Sequence, residues 1–139
     1  MPHDAANQTH WHEPKAGENA GYGHFGRPAM PYDAFMEAEG IPIYRGIGVK
    51  QAQALPMKPW KRLGGRGTYI QLYGTEGLWG LYAVEVPAGG ALNVEHHLYE
   101  KQCYIAEGRG STEVWREGQS RKQTFEWAKG SLFSIPLNA

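Results

Sequence analysis

Glu95-His96-His97, followed closely by Glu100 and Lys101, forms the one dense cluster of ligand-type side chains on a stretch with strand character. Side chains alternate faces along a strand, so Glu95 and His97 point one way and His96 the other. If the inner face holds Glu95 and His97, two members of a two-histidine, one-carboxylate set already converge. Such a set, with open coordination positions, suits non-haem iron(II) or a similar divalent ion. A one-residue slip would bring His96 inward instead. The competing reading places both histidines at a strand end, partly solvated. Spacing alone leaves the two open.

The elements that must position this cluster are short strands. Glycine supplies 19 of 139 residues and proline 9, and that glycine share is about twice average usage. With no collagen period and with aromatics between, such punctuation implies many short strands joined by turns. Fourteen Lys and Arg balance fourteen Asp and Glu. A neutral chain has no electrostatic claim on nucleic acid or anionic lipid. Hydrophobic residues make up 41%, yet no apolar run approaches the roughly 18 residues of a membrane span. No charged-then-apolar leader opens the chain, so a cytoplasmic protein is expected. The single cysteine, Cys103, excludes an internal disulfide framework and a cysteine-based zinc site.

Three regions follow from the pattern. Residues 1–30 carry His3, His10, His12 and His24 among Gly and Asn, with almost no aliphatic side chains. That stretch is expected to be an extended arm, because it cannot bury enough apolar surface to offset its ordering entropy. Its histidines are irregularly spaced and lie on no periodic element. Residues 31–58 hold one short helix, opened by Pro31 and ended by Gly40, and an extended connector, in which Pro42 blocks a central strand. From residue 59 to 139 short strands recur at roughly ten-residue spacing, as in a sandwich or barrel. One of them is expected over Leu92 to His97. Gly64-Gly-Arg-Gly reads as a turn, since no helix follows for a phosphate-cradling loop.

The stretch from Gly90 to Gly110 resembles the first sequence motif of the cupins: a glycine, five residues (four between Gly90 and Glu95 here), His-x-His, three or four residues, Glu, six residues, Gly. Gly90 and Gly108 take the glycine positions, Glu95 and His97 the two histidine positions, and Lys101 the glutamate position. One motif histidine therefore matches, one is a carboxylate, and the glutamate is a lysine. Gly130-Ser-Leu-Phe-Ser-Ile-Pro136 resembles the opening of the second cupin motif, and the chain stops at Ala139 before a histidine follows. The whole region is similar to the amino-terminal barrel of bacterial two-barrel cupins. The resemblance implies an all-β, antiparallel barrel or jelly roll, incomplete in this chain, preceded by the arm and the short helix.

It also implies a metal-dependent enzyme, with an oxygenase-type reaction on a small organic acid or aromatic substrate. The expected metal ligands are Glu95 and His97, with His96 in the alternative register. The expected ion is iron(II), with manganese(II), nickel(II) or zinc as other choices. Lys101, Cys103, Tyr104 and Trp115 are expected to line the pocket. Lys101 at the glutamate position supports a second reading: a degenerate, non-catalytic barrel that serves as a structural or ligand-binding half. Its ammonium must then turn away, pair with Glu100 or Glu95, or replace the metal. Either reading expects a second polypeptide or a homo-oligomer to complete the barrel, and no nucleic-acid or membrane partner.

Overall fold

In a computed structural model that describes residues 30–139, Pro31 opens helix α1, which runs Pro31–Ala38. Proline suits this first position because its missing N–H would lack a helical partner anyway. The Asp33 carboxylate reaches back to the Met30 N–H at 2.8 Å, the reciprocal half of a capping box. Gly40 follows with a φ of 70°, a left-handed conformation that glycine adopts without a Cβ penalty.

Eight strands follow: β1 Ile43–Gly46, β2 Lys58–Trp60, β3 Gly65–Leu72, β4 Leu81–Glu85, β5 Lys101–Tyr104, β6 Arg109–Val114, β7 Gln123–Ala128 and β8 Leu132–Ile135. A single 3₁₀ turn occupies Ala52–Ala54. The described chain is thus β-rich, with one short α-helix. It divides into two units between Asn93 and Val94, a division that falls inside the expected first motif.

In the first unit β3 is the hub. β4 pairs antiparallel along one edge, from Arg66↔Glu85 to Ile70↔Leu81. On the other edge β2 pairs antiparallel with Gly65–Gly67 and β1 pairs parallel with Tyr69–Leu72. Ile43–Gly46, within the expected extended connector, is therefore an edge strand. Pro42 lies just outside this ladder, and its carbonyl accepts from the Tyr69 N–H at 2.8 Å and from Thr68 Oγ1 at 3.1 Å. A proline needs only its acceptor there. The expected turn at Gly64-Gly65 is also shorter than its glycines suggest. Gly64 turns, with a φ of 79°, but Gly65 and Gly67 lie inside β3.

Met36, Ile41, Trp60, Leu63 and Tyr69 form the buried core of this unit, with Ile43, Tyr82 and Val84 packed on it. The Trp60 ring meets Tyr69 and Tyr82 edge-on, each at 5.1 Å between centroids. This is the arrangement that aromatic quadrupoles favour.

The second unit contains two antiparallel ladders. β5 pairs with β8, from Lys101↔Ile135 to Tyr104↔Leu132, and β6 pairs with β7, from Arg109↔Ala128 to Val114↔Gln123. Phe125 of β7 and Phe133 of β8 join them, with ring centroids 4.9 Å apart. Gly110 leaves room for the Trp127 ring across the ladder, whose indole N–H donates to Thr112 Oγ1 at 3.0 Å. No residue from Val94 to Ala139 is fully buried, and none of the sheets closes on itself among the described residues. The strand expected over Leu92 to His97 is not formed: the stretch joins no ladder, and within it the Asn93 N–H donates to the Leu63 carbonyl at 2.8 Å. No helix among the described residues is long and apolar enough to cross a membrane.

Candidate functional site

Alternating exposure is kept in the segment before β5, which joins no ladder. Glu95 and His97 are half-buried, whereas His96 is exposed. The backbone bends at Leu98 and Tyr99 and enters β5 at Lys101, which returns the Lys101 side chain to Glu95. The Lys101 ammonium donates to Glu95 Oε2 at 2.6 Å, and the two side chains are only 13% and 24% exposed. Charge-assisted bonds of this length are the strong ones.

His97 is held from the other direction. Its Nδ1 lies 2.7 Å from the Tyr99 carbonyl, and its ring stacks on the Tyr99 ring at 4.3 Å, within 8° of parallel. A carbonyl only accepts, so Nδ1 carries the hydrogen and the free lone pair belongs to Nε2. His96 Nε2 lies 3.4 Å from Asn138 Oδ1, on the exposed side.

The remaining pocket candidates separate by face. Cys103 shares the half-buried face of β5 with Lys101 and stands opposite Phe133. Burial pushes its thiol up; the Lys101 charge pulls it down and the Glu95 charge pushes it up. Tyr104 points to the other face, where it stands opposite Leu132; the two are 69% and 68% exposed. Trp115 follows β6 and carries the Lys122 ammonium over its ring at 4.4 Å. The structure thus gathers Glu95, Lys101 and Cys103 and sets Tyr104 apart. Among the described residues no three His, Cys, Asp or Glu side chains converge to hold a metal ion. The four arm histidines lie outside the described residues.

A divalent ion is the group implied by the cupin resemblance, and the described donor set does not fit it. Glu95, which would be its carboxylate, is already engaged by a cation, and that cation stands at the glutamate position of the motif. The chain matches no family model, no curated protein and no solved structure among those compared.

A second polar cluster, in the first unit, carried no sequence signal. Glu39 Oε2 accepts from the Trp60 indole N–H and, at 2.7 Å, from Arg62 Nε. The Arg62 guanidinium also lies over the rings of Trp60 and Phe35, at 4.9 and 5.4 Å. Burial works against its charge, but the Glu39 carboxylate and the adjacent Tyr69 hydroxyl outweigh that effect and hold it protonated. A buried polar bridge joins α1 to the sheet: Gln71 Nε2 donates to Asp33 Oδ1 at 3.3 Å, and Arg45 Nε donates to Gln71 Oε1 at 3.0 Å. These residues stand 21 to 38 positions apart in pairs, so no local motif announces them. Their chemistry is that of a clamp between helix and sheet.

Proposed function

We propose that this chain carries a degenerate cupin-type half-barrel, a structural or ligand-binding half for a small organic acid or aromatic compound that holds no catalytic metal. The observation that carries this reading is the ion pair between Lys101 and Glu95. It occupies the carboxylate needed by a metal and introduces a positive charge at the position of a family ligand. The cupin part of the reading is supported by the sequence resemblance at Gly90, His97, Gly108 and Gly130, with which the antiparallel ladders are compatible.

A partner belongs to the same reading. The exposed Val94, Leu98, Tyr104 and Leu132 and the outer edges of the two ladders leave apolar side chains and strand edges that associate readily with another strand. A second polypeptide, or a second copy of this chain, completes the barrel.

One observation favours the metal-dependent alternative. Glu95 and His97 share the covered side, and His97 presents Nε2 as its free ligand atom. In that reading they would hold iron(II), or manganese(II), nickel(II) or zinc, and the ion would supply Lewis-acid or redox chemistry for an oxygenase-type reaction once Lys101 released Glu95.

Sedimentation of the EDTA-dialysed full chain, with a thermal-shift panel of small organic and aromatic acids, separates the two. The binding reading expects an associated species, stabilised by a member of the panel with EDTA present. A stable monomer, or stabilisation that EDTA abolishes and iron(II) restores, overturns it.

A further inference from the structure

We infer that the Lys101 ammonium is the resident cation of the Glu95 site and excludes divalent metal from it. The inference relies on the half-barrel reading for the meaning of the position, and goes beyond it in naming what occupies that position. A metal ion bound to a carboxylate oxygen sits about 2.0–2.2 Å from it. An ion sharing Glu95 Oε2, which is 2.6 Å from Lys101 Nζ, would lie within about 5 Å of the ammonium. At an effective dielectric near 20, that repulsion lowers the affinity for a divalent ion by at least about a hundredfold.

The ammonium is also held in place. Lys101 opens β5 in register with Ile135, and its side chain is the more covered member of the pair. It cannot swing clear without giving up both the carboxylate and its cover. Lys101 thus supplies a fixed single charge where a metal would supply two, with no open coordination position for dioxygen or a chelating substrate.

Titration of the full chain with cobalt(II) alone, followed by visible absorbance and calorimetry, tests this. Only binding lost in both the Glu95→Gln and the His97→Ala variants counts, so that cobalt held by the arm histidines is set aside. The wild-type chain is expected to show no such binding below millimolar cobalt. Lys101→Met, which removes the repulsion alone, is expected to gain at least about a hundredfold, and Lys101→Glu, which adds a carboxylate, more. Micromolar, Glu95- and His97-dependent cobalt binding by the wild type overturns the inference. So does the absence of any gain in a folded Lys101 variant; should Lys101→Glu not fold, Lys101→Met decides. A stable monomer overturns the half-barrel reading and leaves this inference standing, whereas cobalt binding that depends on Glu95 and His97 overturns both this inference and the metal-free part of that reading.

Discussion

The Lys101 ammonium meets the Glu95 carboxylate at 2.6 Å across the bend at Leu98 and Tyr99. Neither side chain is as much as a quarter exposed, so removing one leaves the other poorly solvated. Lys101→Met and Glu95→Gln should therefore each destabilise the chain, and the double variant should lose less than their sum. A coupling of about 1–2 kcal/mol is expected from urea unfolding, within the range for contacting groups. Strict additivity would mean that the two do not interact in solution.

Glu39 fixes the far end of α1 to the sheet through Trp60 and Arg62. Glu39→Ala strips the acceptor from the indole N–H of a tryptophan that is 1% exposed. A buried donor left without a partner costs about 1–3 kcal/mol. Glu39→Gln keeps an oxygen for the indole and should lose less. Tryptophan fluorescence during urea unfolding reads both; equal stability of Glu39→Ala and wild type would refute the clamp.

Gly67 lies inside β3 against the core. A Cβ there would stand 2.3 Å from Trp60 Cε3 and 3.1 Å from the Ala83 carbonyl oxygen. The indole is enclosed, so the clash must be relieved by moving packed atoms, at about 1–3 kcal/mol. Gly48→Ala is the control: its Cβ meets nothing within 4 Å, and it should fall within about 0.5 kcal/mol of wild type. Thermal melts that place the two variants together would rule out this packing.

Tyr69 is buried, with its hydroxyl beside the Arg62 guanidinium. Burial raises its ionisation above the ordinary tyrosine value, with Arg62 pulling the other way. The folded state therefore keeps the proton longer than the unfolded chain does. Stability is full below the unfolded pKa of about 10 and is lost as pH rises towards the folded value. Tyr69→Phe should remove that alkaline loss and cost little at neutral pH. Melts recorded from pH 7 to 11 check it, and an alkaline loss that persists in Tyr69→Phe would assign it to other groups.

The parts legible in the sequence were those set by neighbours in the chain. Pro31 and Gly40 bound α1 because a helix start and stop depend on residues within a turn or two of each other. The alternating exposure of Glu95, His96 and His97 depends on chain neighbours alone, and it persists in a segment that makes no ladder. Pairing is a different matter. Ile43–Gly46 becomes a strand only because Tyr69–Leu72, 26 positions away, offers an edge. Gly65 and Gly67 read as turn residues, yet their missing side chains make room for the Glu85 carbonyl and Trp60. Nothing local distinguishes the two uses of glycine. The choice of Glu95 over Glu100 as the partner of Lys101 was likewise out of reach, because it depends on the bend between them.

The most direct measurement is elemental analysis of the full chain, purified without chelator from cells supplied with iron, manganese, nickel and zinc, beside its Glu95→Gln and His97→Ala variants. The expected result is the same metal content in all three, with no equivalent of metal assignable to Glu95 and His97. One equivalent in the wild type, lost in both variants, would contradict a site whose cation is Lys101.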